Sequence, residues 1–398
     1  MIETGAPTVL YTSADFDGQG GALRCLMDMG NEIGAWGYRP MLALSDRQQG
    51  GPAQANGALP TFRLSLPRPQ RGRSAADYVR DVLETARSAR RLARLIRREH
   101  VALVHVNEIL DVYGGIAAKI ARVPCVWHVR ADISGWPRPL RAVLPRVVSA
   151  LSSEVVVVSE SVRQLVFADH GLDTRKVSVI HDPGPDPHTF RPDVDGGAVR
   201  RELGIDPDAP VVVLVAKMVE PKGHEVLLRA APEVLASFPA TRFVIVGGDL
   251  DGEHHRRYAR RIRSLPAELG VDHAVIFTGY RGDVAQVMAA ADIVTHCSTH
   301  PDPFPGTVLQ GMALGKVVIA SDLGGPNEQI EPGRSGLLVP AGDPAALASA
   351  ILSLLDDPER RASIGRAAGE RVRSTFTADD FYRRLADSYA HAIGGCRW

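Results

Sequence analysis

Only five of the chain's 46 basic residues are lysines (Lys119, Lys176, Lys217, Lys222 and Lys316), so a lysine that persists against this arginine bias carries information. Two of them, Lys217 and Lys222, flank a turn directly after an apolar run in VVVLVAKMVEPKGH, 211–224. Two ammonium groups at a strand end would neutralise a diphosphate and stabilise the charge that grows as it departs. The segment 299–328 carries complementary chemistry. A predicted strand ends at Ser298, a Pro-rich loop follows, and a helix is expected to start near Gly306. The first amides of that helix, at Gly306, Thr307 and Val308, have no intrahelical acceptors. Such a helix start binds phosphate through its N–H groups and the positive end of its dipole. Asp302 precedes the helix and Gln310 lies one turn inside it, both near whatever the amides hold.

These residues are useful only if strands and helices bring them together. In the first half, apolar runs of strand length (TVLYTS at 8–13, PMLALS at 40–45, VALVHV, PCVWHV and EVVVVS) alternate with helical patterns. Gly20 to about Trp36 reads as one helix, 46–75 as loop, and Ala76–His100 as a helix with Val82, Ala86, Ala89, Ala93 and Ile96 on one face. Strands that are apolar on both faces and separated by helices imply a parallel sheet covered on both sides. HDPGPDPHTFRPDVDGG, 181–197, can continue neither a helix nor a central strand and reads as a linker. The alternation then restarts with VVVLVAK, TRFVIVGG, AVIFTGY, DIVTHCS, KVVIAS and GLLVP. The expected fold is α/β, with two tandem Rossmann-like, doubly wound domains over 1–190 and 191–377. A last helix, 378–398, is expected to pack back on the first domain. It starts with Thr377 and Asp380 as a capping box, and Phe381, Leu385 and Tyr389 are its buried face. Ligands of open α/β sheets bind outside the carboxyl ends of the strands, so an interdomain cleft is expected to hold the site.

Composition narrows the function classes. A length of 398 residues suits two ordinary domains, and 45% hydrophobic with 23% charged residues is a globular balance. Basic and acidic residues number 46 each, so no global field recruits nucleic acid. Cys25, Cys125, Cys297 and Cys396 are scattered without a C-x-x-C pair, which argues against a zinc site or a disulfide framework. The N-terminal MIETGAPTVLYTS lacks a signal peptide's pattern and no apolar run is of membrane-spanning length, so a cytoplasmic protein is expected. The basic stretches RSARRLARLIRREH, 87–100, and HHRRYARRIR, 254–263, read as solvated outer faces. Contact of the first with a membrane is the less favoured reading.

In this order, the motifs resemble the retaining family 4 glycosyltransferases of the GT-B fold. VAKMVEPKG is similar to the family's G-R-L-x-x-x-K-G element, and DPFPGTVLQGMALGKVVIAS to its acidic motif and following strand. GGPNE, SGLLVP with AGDPAAL, QGGALR and VWHVR are weaker matches. The resemblance implies a nucleotide-sugar donor, expected to be a UDP- or GDP-sugar, and no metal or other cofactor. It implies that Lys222 binds the diphosphate with Lys217 in the usual arginine's place, and that the 306–308 amides complete the phosphate site. Asp302 would touch the transferred sugar and Gln310 the ribose. Gly279, Tyr280 and Arg281 would hold the base, and His128 would approach the reacting sugar. Gly20 and Gly21 would let backbone come close to phosphate and acceptor.

Three positions depart from the family. Asp302 and Gln310 stand where it has two glutamates, Lys217 replaces an arginine and loses bidentate phosphate geometry, and Leu23 stands where glutamate is frequent. Each assignment has a plainer alternative. Lys222 can be a solvated turn residue, Asp302 a helix cap, Gln310 a surface residue and His128 a core histidine. Asn107 and Glu108, after an apolar strand, either bind acceptor or begin a loop. A nucleotide-sugar 2-epimerase of the same architecture and a non-catalytic nucleotide-sugar-binding module are the rival functions.

Overall fold

The computed structural model describes residues 5–13, 21–45, 59–64 and 75–395. Its contacts divide the chain into unit 1, Met1–Asp182 with Ala378–Trp398, and unit 2, Pro183–Thr377. The break falls inside the Pro- and Gly-rich linker, a little before the 190/191 boundary expected from the sequence.

Unit 1 is built on one all-parallel sheet in the order β3-β2-β1-β4-β5-β6-β7. Its elements are β1 (Thr8–Ser13), α1 (Gly21–Glu32), β2 (Arg39–Ser45), β3 (Thr61–Leu64), α2 (Ala75–Arg98), β4 (Val101–Val106), α3 (Val112–Ala121), β5 (Cys125–Val129), α4 (Arg138–Leu151), β6 (Glu154–Val157), α5 (Glu160–Val162) and β7 (Val177–Val179). The chain from β3 through α2, α3 and α4 to β6 crosses the sheet in one direction, whereas α1 leads from β1 back to β2. Right-handed crossovers therefore put α2, α3 and α4 on one face and α1 on the other. The contacts of α2 with α3 and of α3 with α4 follow this layering. β3 corrects the expectation of loop over 46–75: it is a four-residue, half-exposed edge strand, too short to show a period.

Unit 2 has a second parallel sheet in the order β10-β9-β8-β11-β12-β13. In chain order it holds α6 (Gly197–Glu202), β8 (Val211–Val215), α7 (His224–Ser237), β9 (Arg242–Val246), α8 (Glu253–Glu268), β10 (Val275–Gly279), α9 (Val284–Ala289), β11 (Ile293–His296), α10 (Gly306–Ala313), β12 (Val317–Ser321), α11 (Pro326–Gln329), β13 (Leu337–Val339), α12 (Pro344–Leu355) and α13 (Pro358–Thr375). The central strands β8, β9, β11 and β12 are almost entirely buried and mostly Val, Ile, Leu and Phe, as strands covered on both faces must be. Thr295 and His296 are buried polar exceptions at the carboxyl end of β11. Val212, Phe243, Ile293 and Ile319 on the sheet meet Leu227, Val234, Leu347 and Ile351 of α7 and α12 in one core.

The last helix, α14 (Ala378–Gly395), returns to unit 1 on the side of α1, where Phe381, Leu385 and Tyr389 join Val9, Leu26 and Leu103. Its tyrosine hydroxyl and one backbone carbonyl find partners in unit 1, while Ser388 Oγ is buried with no partner among the described residues. Tyr389 Oη lies 2.7 Å from His105 Nδ1 and 3.2 Å from Tyr11 Oη, and Tyr38 Oη donates to the Ala386 carbonyl at 3.1 Å. Cys25, Cys125 and Cys297 carry free thiols.

Candidate functional site

The sheet of unit 2 reverses its winding between β8 and β11, whose next neighbours in sequence lie on opposite sides. Such a switch point opens a crevice at the carboxyl ends of the two strands. The loop after β8 carries Lys217 and Lys222, and the loop after β11 carries Asp302. Lys222 ends a 3-10 turn, Glu220–Lys222, which Gly223 closes at φ +66°. Glycine is required there twice over: that φ suits it, and a Cβ would collide with the Cys297 carbonyl at the end of β11. Thr299 N–H donates to Pro221 O at 2.9 Å and ties the two loops together. The Lys-Gly pair thus places an ammonium at the strand ends by letting backbone meet backbone.

The loop after β12 is built in the same way. Gly324, at φ +75°, forms a parallel bridge with Asp302, and the Gly325 amide donates to Asp302 O at 2.8 Å. A Cβ on Gly324 would stand 2.7 Å from Asp302 O, and one on Gly325 would strike Pro303 O. GGPNE is therefore a brace that fixes the Asp302 loop from behind.

Asp302 is nearly buried, and its Oδ2 receives two groups, the Lys222 ammonium and His296 Nε2 at 3.0 Å. Ser298 Oγ lies 3.2 Å from the same His296 nitrogen, and His296 Nδ1 has no partner among the described residues. Burial alone would raise the Asp302 carboxyl. The Lys222 charge, together with the hydrogen bonds from His296 and Lys222, outweighs it and holds the carboxyl well below the usual range. The result is an ionised carboxylate held between a cation and a ring nitrogen.

Behind it, α10 begins at Gly306 after Pro305. One sequence expectation needs correction here: the Val308 amide is not open, because the first turn closes onto Pro305 O at 3.2 Å. Gly306 and Thr307 remain, with no acceptor among the described residues. A Cβ on Gly306 would meet nothing within 4 Å, so no protein contact accounts for the glycine and the space before it is open. Gln310 is half-buried on the same short helix. Lys217 is half-buried, and its carbonyl accepts from the Val219 amide at 2.8 Å.

The loop after β10 is a second correction. Arg281 is committed elsewhere, to Glu202 of α6 at 2.6 and 2.9 Å and to Asp283 at 2.6 and 2.8 Å. It braces α6 against this loop and is not presented to a base. Tyr280 is 65% exposed and stands beside Gly248, whose added Cβ would lie 3.3 Å from the tyrosine Cβ. Gly279, at φ +70°, makes the turn.

In unit 1, His128 is fully buried inside β5, with Arg130 Nη2 3.3 Å from its Nδ1 and the Phe381 ring stacked at 6.4 Å. Burial, with the charge of Arg130, pushes its pKa down. The ring belongs to the core of the unit, and the group standing beyond the strand end is Arg130. Its guanidinium pairs with Asp182, and its Nε donates to Asn107 Oδ1 at 3.2 Å. Asn107, fully buried, thus orients Arg130, and the Glu108 carbonyl accepts from Trp127 Nε1 at 2.9 Å. Gly20 lies outside the described residues, as does the Leu23 side chain, and Gly21 is the first residue of α1. Sequence reasoning missed His296 and Arg130. The signal for each was a polar side chain within or just beyond an apolar strand.

Among the described residues no group of three or more His, Cys, Asp or Glu is gathered to hold a metal. None of their helices is long and apolar enough to cross a membrane.

Comparison with known proteins gives this geometry a family. A model described as glycosyl transferase 4-like domain matches residues 20–183, and one described as glycosyl transferases group 1 matches 209–357. The D-inositol 3-phosphate glycosyltransferase of Thermomonospora curvata is 32% identical over 314 residues, 74% of this chain and 72% of that protein. The chain belongs to the family 4 glycosyltransferases. The enzyme of the same name from Acidothermus cellulolyticus is 36% identical over 239 residues, 58% of this chain. The chain spans about half the length of several such relatives, 52% of the Acidothermus protein and 54% of that from Corynebacterium kroppenstedtii. Among solved structures, Anabaena HepE with UDP and glucose aligns at a TM-score of 0.82 and 24% identity over 96% of this chain and 99% of that one. Sucrose-phosphate synthase from Thermosynechococcus elongatus aligns at 0.80 and 21% identity over 98% and 100%. Both likenesses establish the GT-B fold of this family member.

Proposed function

We propose that the protein transfers a sugar from a nucleotide-sugar donor to an acceptor, with retention of anomeric configuration and without a metal ion. The observation that carries this reading is the Lys222–Asp302 pair at the switch point of one parallel sheet, with the open amides of Gly306 and Thr307 following Asp302 in the same loop and helix start. The ammonium and the helix start would take the donor diphosphate. As the glycosidic bond to phosphate lengthens, negative charge builds on the leaving oxygen, where a fixed cation and N–H groups stabilise it most. Asp302, ionised and short, would accept hydrogen bonds from hydroxyls of the transferred sugar. Gln310 would hold the ribose. Charge supplied by Lys217 and Lys222 is what would make a metal dispensable. Same-face transfer would leave the acceptor's proton on the donor phosphate. The UDP and glucose bound to HepE make a UDP-sugar the first donor to try.

The test is a thermal-shift screen of the full chain against UDP-, GDP-, ADP- and dTDP-sugars, followed by turnover with the donor that stabilises it. Turnover should survive excess EDTA, and proton NMR should find the donor's anomeric configuration in the product. Lys222→Ala should lower kcat about a hundredfold or more with a smaller change in donor affinity, and Lys222→Arg should restore it only in part. Lys217→Arg should keep much of the activity. A rate restored only by magnesium or manganese, an inverted product, or an Lys222→Ala enzyme at full rate would each overturn the corresponding part of the reading.

A further inference from the structure

Six large hydrophobic side chains stand exposed among the described residues: Val82, Leu83, Ile120, Leu140, Val143 and Tyr280. Exposed aliphatics scattered singly are ordinary, but Val82 with Leu83 and Leu140 with Val143 are pairs within single turns of two helices. The first five belong to α2, α3 and α4, the three helices that cover one face of the unit 1 sheet. The charged residues around them are equally one-sided. From Arg80 to Arg98, every exposed residue of α2 other than Val82 and Leu83 is an arginine, and Asp81 and Glu84 are half-buried. The exposed residues of α3 are Lys119 and Ile120. On α4 the exposed charges are Arg138 and Arg146, and that helix contains no acidic residue. Among the described side chains, then, no exposed carboxylate lies on any of the three helices.

The opposite layer of the same unit has the reverse character. On α1 and α14 the exposed charges include Asp28, Glu32, Asp379 and Asp387, against Arg383 and His391. Equal numbers of basic and acidic residues over the whole chain therefore conceal a unit with one basic, aliphatic face and one acidic face. A merely solvated helical surface interleaves both signs and has no reason to collect aliphatic side chains.

We propose that the α2–α3–α4 face docks on an anionic phospholipid surface. Arginines near such a surface are each drawn to the negative headgroups, while Leu140, Val143, Val82 and Leu83 enter the boundary with the acyl chains. Aliphatic stems with charged ends suit this depth, because the guanidinium stays at the headgroups while its methylenes are buried. Nucleic acid fits the charge but not the apolar set, since it would want aromatic side chains to stack on bases, and the exposed residues of this face are arginine, lysine and aliphatic. The proposal is independent of the transferase reading and needs no turnover to be tested.

The experiment is co-sedimentation of the full chain with phosphatidylcholine vesicles, with and without phosphatidylglycerol, at low and raised salt. Binding is expected only with phosphatidylglycerol and should weaken as salt rises. The triple variant Arg90→Gln, Arg94→Gln, Arg138→Gln should bind about a hundredfold more weakly. The charge-neutral double variant Leu140→Ser, Val143→Ser should lose about tenfold. Asp28→Asn with Glu32→Gln, on the opposite layer, should bind as the wild type does. Failure of the wild type to sediment with phosphatidylglycerol vesicles overturns the proposal. Binding that ignores the Leu140 and Val143 changes, and that heparin or RNA competes away, overturns it in favour of a general polyanion site.

Discussion

Asp302 accepts from Lys222 and from His296 through a single oxygen, so two donors set where the carboxylate lies and how tightly it holds the lysine. Removing the imidazole would leave Lys222 as the stronger claimant on that oxygen and draw the ammonium away from an incoming diphosphate. His296→Leu should therefore raise the donor KM and lower kcat, together by tenfold or more, since one hydrogen bond to a charged group is worth about 1.5–3 kcal/mol. His296→Gln, which keeps an N–H donor within reach, should recover part of both. An equal loss in the two variants, or a loss confined to melting temperature, would reduce His296 to a packing residue. At this scale the sequence was legible where chemistry is scarce. Lys222 stood out because lysines are rare, and Asp302 because a Pro-rich loop held it before a helix. His296 was not legible, since a histidine in an apolar strand looks like core until the strand's neighbours are known. Arg281 misled in part for the same reason: of its two carboxylate partners, Asp283 is a near neighbour but Glu202 is 79 residues away along the chain.

The elements that carry these side chains are joined by glycine contacts that no side chain could replace. Gly223 sits at φ +66° with its missing Cβ against the Cys297 carbonyl, and this lets the Lys222 turn lie flat on the end of β11. Gly223→Ala must either push the turn away or distort the strand. A strained backbone plus a collision with main chain should destabilise unit 2 by roughly 2–4 kcal/mol. Gly306→Ala offers the contrast, because its Cβ would enter open space. That variant should keep its melting temperature yet lose donor affinity if phosphate approaches the amide. Differential scanning fluorimetry with and without nucleotide separates the two effects. A stable Gly223→Ala protein would mean the turn is not pinned as described. Strand and helix order was readable from apolar runs because buried parallel strands are uninterrupted. The edge strand β3 and the closed Val308 amide were not, since both depend on where a neighbouring segment comes to rest.

For the molecule as a whole, acid should act first through histidines that folding keeps neutral. His224 is fully buried behind the Lys222 turn, with Tyr258 Oη 3.3 Å from its Nδ1, and burial pushes its pKa down to about 4. His105, enclosed in unit 1 beside Tyr389, is pushed down to about 3 by burial and by Arg130, and His128 shifts the same way. A neutral buried histidine takes up its proton only below its folded pKa, whereas the unfolded chain takes it up near 6.5. Between those values the unfolded state binds more protons, so stability falls as pH drops from about 6.5 to about 4, by up to about 3 kcal/mol for His224 alone. Asp302 acts in a different window. Its stabilising pair is complete above the ordinary carboxylate range and is lost only as pH falls through its depressed folded value. Urea unfolding followed by far-ultraviolet circular dichroism from pH 7 to 4 should therefore show a steady loss, and His224→Asn should flatten it. Trp36, Trp127 and Trp136, the tryptophans among the described residues, belong to unit 1, so their fluorescence reports that unit, where His105 and His128 remain. The fluorescence transition should keep its pH dependence in the His224 variant if the units unfold separately, and flatten with the dichroism if they unfold together. A wild-type stability that is level between pH 6.5 and 4, or a His224→Asn protein with an unchanged slope by circular dichroism, would show that the imidazole does not remain neutral in the fold.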